Sequence, residues 1–190
     1  MTRILIVYAS NYGNTESMAR QVARGVEEVT DVEAVLRTVA PVDPSAEASD
    51  SAPIVEIDEL GECDGLIIGS PTHFGNMTAS MKHFIDSTTA AWMNGALVGK
   101  PAGVFASTGS LHGGQESTLL SMMLPLLHHG MVIAGLPYTH PELMATQSGG
   151  TPYGPTHVAG PASDRPLTAE EKTLCRGLGR RIGELAKKLG

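Results

Sequence analysis

The stretch ILIVYASNYGNT, residues 4–15, decides the fold of this chain. Its first six residues, Ile4 to Ala9, form an uninterrupted apolar run, which is typical of a central parallel strand that is buried on both faces. A polar turn with one Gly follows, and apolar residues at helical spacing then predict a helix over residues 14–29. A strand, a polar turn and a helix in this order predict the first unit of an α/β fold.

The same alternation continues along the chain. Further strands are predicted at residues 32–39, 65–70, 102–107 and 131–134. Strands that alternate with helices indicate a parallel sheet covered on both faces. Five such strands favour a flavodoxin-like, doubly wound, five-stranded parallel sheet, whose ligand lies beyond the carboxyl ends of the strands. The periodicity leaves the order of the strands open.

The last helix is predicted from Thr168 to Leu189. Thr168 and Glu171 have the spacing of a capping box at its start. Its apolar stripe consists of Leu174, Leu178, Ile182, Leu185 and Leu189.

Composition narrows the class of protein. The 190 residues predict a single domain over 1–190, and the net charge of −7 with no basic patch argues against a nucleic-acid partner. No apolar run approaches the roughly 18 residues of a membrane span. The first apolar run is too short for a signal peptide, so we expect a cytoplasmic protein. Cys63 and Cys175 form neither a disulfide framework nor a metal motif, and no metal site is predicted.

Two segments depart from the alternation. Residues 40–53 are acidic and rich in Pro, and we expect an excursion into solvent. Residues 135–163 contain five Gly and five Pro but one formally charged residue, Glu142. A connection of this length with so little charge is expected to pack on something, most simply at an interface between subunits.

The turn after the first strand has the features of an anion site. It comprises Ser10, Asn11, Tyr12, Gly13, Asn14 and Thr15. A turn that opens a helix presents free backbone N–H groups and the positive end of the helix. It has no Lys or Arg and matches neither the Walker A nor the G-x-G-x-x-G pattern. It therefore predicts a site for a monophosphate such as that of FMN, with an ordinary helix cap as the alternative.

Two more polar loops follow the third and fourth strands. The first contains Pro71, Thr72, His73, Phe74, Gly75 and Asn76, and the second contains Ser107, Thr108, Gly109, Ser110, Leu111, His112, Gly113 and Gly114. All three loops leave carboxyl ends of strands, so we expect them to meet at one edge of the sheet. Gly-rich backbone there can approach a flat ring closely. These two loops carry no carboxylate before Glu116, which favours two-electron over one-electron flavin chemistry.

Five blocks together resemble a known family. They are SNYGNT (10–15), GSPTHFGNM (69–77), STGSLHGGQE (107–116), LHHGMVI (127–133) and GGTPYGPTHVAG (149–160). In this order they are similar to the WrbA-type NAD(P)H:quinone oxidoreductases, which are FMN enzymes of the flavodoxin superfamily. The resemblance extends from about Arg3 to the last helix. His73 stands where the family often has Arg, and the loop at 107–114 is one residue longer than the common form.

The resemblance implies a role for each block. FMN, bound non-covalently, would place its phosphate on residues 10–15, its isoalloxazine edge on 71–76 and its pyrimidine end on 107–114. The substrate pocket would contain Trp92, His128 and Tyr138, and His128 would also lie beside the cofactor and donate a hydrogen bond to a quinone oxygen. Tyr12 would contact the nicotinamide. The family also implies a homotetramer with flavin sites near the subunit contacts.

The leading hypothesis is therefore the two-electron reduction of quinones to hydroquinones. NADH or NADPH would deliver a hydride to flavin N5 and leave, and a quinone would then take its place in a ping-pong order. The flavin carries the chemistry, so no covalent catalytic residue is expected. Three alternatives remain open from the residues: a flavodoxin-type single-electron carrier, an FMN reductase of azo, nitro or metal substrates, and an interaction protein without FMN.

Overall fold

The computed structural model describes residues 1–42 and 52–190, so most of the predicted 40–53 excursion lies outside the described residues. The strands are β1 (Thr2–Tyr8), β2 (Val32–Thr38), β3 (Gly65–Pro71), β4 (Pro101–Thr108), β5 (Val132–Ile133) and β6 (Thr156–Val158). The helices are α1 (Asn14–Glu27), α2 (Glu59–Glu62), α3 (Ala79–Ser87), α4 (Thr89–Met93), α5 (Gln115–His128), α6 (Glu142–Ala145) and α7 (Ala169–Leu189).

The strands form one parallel sheet in the order β2-β1-β3-β4-β5, with β6 also paired to β4. The chain moves from β1 outward to β2 and then crosses back to β3 on the other side. Adjacent strands whose connections diverge in this way leave a crevice at their carboxyl ends, which is where doubly wound sheets bind ligands. The predicted parallel, doubly wound architecture is confirmed.

The five predicted strands are all present, and the described residues contain one further short strand, β6, which pairs with β4. β5 pairs with the start of β4 at Pro101 and Ala102, whereas β6 pairs further along the same strand at residues 106–108. β6 and the short helix α6 both lie inside the 135–163 segment, which was predicted to be a loop. Three strand residues between Gly and Pro are too few to give a periodic signal.

Both faces of the sheet are covered, as predicted. Ile4, Ile6 and Tyr8 pack with residues of α1 and α7, whereas Leu5 and Val7 pack with residues of α3 and α5. The side chains of β1 are buried at every position from 4 to 8 because each face meets a helical layer.

The capping box of α7 is confirmed. Thr168 Oγ1 accepts a hydrogen bond from Glu171 N, and a Glu171 carboxylate oxygen accepts one from Thr168 N. The predicted apolar stripe is buried at Leu174, Leu178 and Ile182, but Leu189 is exposed because it lies in the final turn of the helix.

Two further properties concern the whole chain. In the ranges that the structure describes, no helix combines the length and apolar character needed to cross a bilayer. Cys63 and Cys175 are free thiols, and both are buried.

Candidate active site

A cavity of about 110 Å³ lies at the carboxyl ends of β1, β3 and β4, and we call it the switch-point cavity. It is lined by Ser10, Asn11, Tyr12, Asn14, Thr15, Pro71, Thr72, His73, Ser107, Thr108, Gly109, Ala159 and Ser163. The three loops that the sequence singled out therefore meet at one place. Among these described lining residues there is no Asp, Glu, Lys or Arg, so the cavity offers neutral donors and acceptors.

The first loop is shaped for an anion. Gly13 adopts a left-handed backbone (φ 80°), and α1 begins at Asn14. The N–H groups of the first helical turn have no acceptor within the helix, so they point towards the cavity end of α1. Thr15 Oγ1 shares a buried hydrogen bond of 2.9 Å with Ser107 Oγ, which fixes this loop to the end of β4.

The second loop is a tight turn at residues 73–76. His73 N donates to Asn76 O (2.8 Å), and Asn76 N donates to His73 O (3.1 Å). Phe74 (φ 53°) and Gly75 (φ 73°) are both left-handed, as in a type I′ turn. For Phe this backbone is strained, and its ring is fully exposed. Its neighbour His73 lines the switch-point cavity, and backbone strain of this kind clusters at ligand sites.

The third loop lies against the second. A Cβ on Gly114 would stand 2.8 Å from Gly75 Cα, so the two backbones can approach this closely only with glycine. Of the predicted residues in 107–114, the first three line the switch-point cavity. Leu111, His112 and Gly114 instead line a neighbouring recess of about 480 Å³, together with Gln115, Glu116, Ser117, Ser148, Gly150 and Thr151.

A larger cavity, which we call the Trp92 cavity, lies between α3, α4 and α5. It has a volume of about 480 Å³ and is lined by Asn76, Met77, Lys82, Ile85, Asp86, Thr88, Thr89, Trp92, Ser121, Leu124, Pro125, His128 and His129. Trp92 and His128 both line this cavity, and Trp92 Nε1–H donates to His128 O (2.8 Å). Among the described residues, Tyr138 lies outside this cavity and is exposed.

Sequence reasoning passed over His129, which also lines the Trp92 cavity. Thr88 Oγ1 donates to Ile85 O, so its oxygen accepts from His129 Nε2–H at 2.9 Å. Burial lowers the pKa of His129, and the neighbouring His128 lowers it further. The ring is therefore neutral, and its buried Nδ1 has no hydrogen-bond partner in the described part of the chain.

Ala159 and Ser163 were also missed. They follow β6 and close the side of the switch-point cavity next to the first loop. Asn14 Nδ2 donates to Ser163 O (2.9 Å), and Ala159 N donates to Thr108 O (2.8 Å). The low charge of residues 135–163 was the available signal, since it predicts packing, but it does not say which residues pack.

Known proteins resemble this chain along its length. Residues 2–140 match a family described as NADPH-dependent FMN reductase. Two curated relatives are both named NAD(P)H dehydrogenase (quinone) and align over 98% of each chain. One, from Syntrophobacter fumaroxidans, is 46% identical, and the other, from Geotalea daltonii, is 43% identical.

Solved structures confirm the flavodoxin-like fold. The flavodoxin, WrbA-like protein from Agrobacterium tumefaciens aligns with a TM-score of 0.74 at 24% identity. The alignment covers 100% of both chains. A flavodoxin from the domain Archaea has a TM-score of 0.67 at 22% identity over 98% of this chain and 99% of that one. With its sheet order, its three converging loops and a match over residues 2–140, this chain belongs to the NADPH-dependent FMN reductase family.

Proposed function

We propose that this protein is an FMN-dependent NAD(P)H:quinone oxidoreductase that reduces quinones to hydroquinones by two electrons. The observation that carries the proposal is that one loop serves both cavities: His73 lines the switch-point cavity with its cation-free anion loop, and Asn76 lines the larger Trp92 cavity. The names of the two curated relatives support the same activity.

The residues present fit FMN. The phosphate would lie on residues 10–15, where helix N–H groups and hydroxyls supply donors without a counter-charge. The loops at 71–76 and 107–114 would hold the ring with backbone groups. Bound there, FMN supplies two-electron chemistry between a nicotinamide and a quinone.

The chain's own groups would then orient the reactants and manage charge. A lining without carboxylates tolerates negative charge that develops in the cavity. His128 would donate a hydrogen bond to a quinone oxygen, where charge builds during reduction. Trp92, whose indole edge is fixed by the His128 carbonyl, would cover one face of the acceptor. Tyr12 is exposed at the rim of the cavity, and we assign it to the nicotinamide.

The proposal extends to a cytoplasmic homotetramer. Trp92 and Leu124 are exposed in the lining of the Trp92 cavity, Leu127 is exposed on the same helix as Leu124, and Tyr138 and Tyr153 of the 135–163 segment are exposed as well. Apolar side chains clustered in this way favour burial against another subunit. A neighbouring subunit would then supply Tyr138 to the pocket. Light scattering across a dilution series, run beside a quinone-reduction assay, should show specific activity falling as the assembly dissociates. A fully active monomer would contradict this.

Anaerobic titration tests the function itself. NADH or NADPH added to the FMN-loaded protein should bleach the flavin absorption near roughly 450 nm, and an equimolar quinone should restore it. If dithionite bleaches the flavin absorption but neither NADH nor NADPH does, the proposed activity is wrong. If dithionite reduction instead passes through a long-lived one-electron state, the protein is an electron carrier.

A further inference from the structure

Glu171, in the first turn of α7, is fully buried and has unusually many donors around it. Its carboxylate accepts hydrogen bonds from Ser148 Oγ (2.8 Å), Gly149 N (2.9 Å), Val158 N (3.1 Å), Thr168 N (2.9 Å) and His157 Nδ1 (2.8 Å). A carboxyl group whose two oxygens are surrounded only by donors is in its ionised, acceptor-only form. The capping role that the sequence predicted accounts for one of these contacts.

His157, in β6, is the side chain that pairs with Glu171. Its side chain is buried, with Nδ1 facing Glu171 and Nε2 lying 3.1 Å from Arg165 O. Both distances are within hydrogen-bond range, so the imidazole ring connects the Glu171 carboxylate to the backbone carbonyl of Arg165. The two side chains therefore form a buried hydrogen-bonded pair that also holds a backbone carbonyl.

That carbonyl belongs to a loop that borders the switch-point cavity. Arg165 N donates to Ala159 O (3.0 Å) and thereby closes residues 159–165 on themselves. The same loop supplies the lining residues Ala159 and Ser163, and Ser163 O accepts from Asn14 Nδ2 at the phosphate loop. His157 thus holds the Arg165 end of a loop whose residues Ala159 and Ser163 line the switch-point cavity.

We infer that His157 and Glu171 are a positioning pair for the cofactor site, which holds residues 159–165 against the phosphate loop so that FMN affinity depends on His157. The inference rests on the proposed function, because it requires FMN in the switch-point cavity. Neither side chain lines that cavity, so any effect on FMN passes through the loop.

Three variants separate positioning from general stability. His157→Phe keeps a flat ring and removes both N–H donors. His157→Gln can place an amide N–H near the position of Nε2 and so keep the bond to the Arg165 carbonyl. Ile182→Val is the matched control. It removes one buried methylene from α7 where Ile182 packs beside Gly65, at the start of β3 and away from the cavity.

Amide hydrogen exchange of the FMN-free protein gives the first readout. His157→Phe should speed exchange at the Ser163 and Arg165 amides at least tenfold relative to Ile182→Val, because both amides bond within the released loop. His157→Gln should exchange more slowly there than His157→Phe. Equal exchange in His157→Phe and Ile182→Val overturns the inference whether or not FMN binds.

The FMN dissociation constant, measured by fluorescence titration, is the second readout. We expect an increase of at least tenfold for His157→Phe, a smaller increase for His157→Gln, and less than twofold for Ile182→Val. If wild-type protein fails to bind FMN, the proposed function is wrong. If wild type binds and His157→Phe stays within twofold of Ile182→Val, the positioning role is wrong. Should His157→Phe not fold, His157→Asn replaces it, because its shorter amide can reach the position of Nδ1 but not that of Nε2, and the same criterion against Ile182→Val applies.

Discussion

The switch-point cavity and the Trp92 cavity are built in opposite ways. The first is small, about 110 Å³, and hydrogen bonds tie its walls together, between Thr15 and Ser107 and between Asn14 and Ser163. The second is about 480 Å³ and open, with exposed Trp92 and Leu124 in its wall. The difference indicates a preformed, hydrogen-bonded site that can take a phosphate and the adjoining part of FMN, together with a larger and more open cavity that suits exchanging substrates. Changes in the first should act on cofactor affinity, and changes in the second on turnover.

The largest effect should come from a negative charge in the switch-point cavity. Ser10→Glu would place a carboxylate beside the FMN phosphate and weaken binding by on the order of 4 kcal/mol, about a thousandfold. Ser10→Ala removes the hydroxyl that accepts from Glu16 N and should cost only about 1 kcal/mol. Fluorescence titration of FMN measures both. Wild-type affinity in Ser10→Glu would show that the phosphate lies elsewhere.

The stability of the loops beside the switch-point cavity should also depend on pH. Burial raises the pKa of Glu171, but the hydrogen bonds from His157, Thr168 and Ser148 outweigh it, and the pKa falls from 4.5 to about 2. The ionised group therefore contributes about 3 kcal/mol to folding above pH 4.5, and this contribution is lost as the pH falls towards about 2.

Urea unfolding of wild type and Glu171→Gln, from pH 7 down to pH 3, measures that contribution. The variant should be less stable at pH 7, and the gap should narrow below pH 4.5, because there the Glu171 carboxyl of unfolded wild type binds a proton while that of the folded protein stays ionised, and Gln has no such group. A gap that stays constant with pH would contradict a charged Glu171.

The sequence predicted the switch-point cavity well because its signals are local. A buried strand followed by a polar turn and a helix is contained within residues 4–29, and the parallel sheet then brings three such turns to one edge. Ala159 and Ser163 could not be predicted, because the strand that leads to them, β6, has three residues. Glu171 was interpreted only as a cap, since its bonds to Ser148 and His157 join residues 23 and 14 positions apart.

The Trp92 cavity was accessible only through the family resemblance. Trp92 and His128 are 36 residues apart and lie on different helices. The local sequence pattern around each residue does not predict that the two are in contact. The sequence indicates only a helix cap at His129; the residue does cap α5, but its ring is also buried and hydrogen-bonded to Thr88, which no local pattern predicts.

In the Trp92 cavity, His128→Leu should slow reduction of the quinone by about tenfold to a hundredfold and leave flavin reduction by NADH nearly unchanged. The substitution removes only the imidazole ring, because Trp92 donates its hydrogen bond to the backbone carbonyl of residue 128, which Leu retains. Rapid mixing measures each half-reaction separately. Equal slowing of both would show that the ring of His128 positions FMN rather than the quinone.

The smallest effect should come from Trp92→Phe, which keeps an aromatic face and loses only the indole N–H bond to His128 O. One partly exposed hydrogen bond contributes about 1 kcal/mol, so the quinone KM should rise roughly fivefold. Because Trp92 lies outside the switch-point cavity, FMN affinity should stay within experimental error, in contrast to Ser10→Glu. Steady-state assays over a range of quinone concentrations, together with an FMN titration, measure the two quantities. A loss of FMN affinity in Trp92→Phe would mean that the two cavities act as one site and that the contrast between them does not hold in the assembled enzyme.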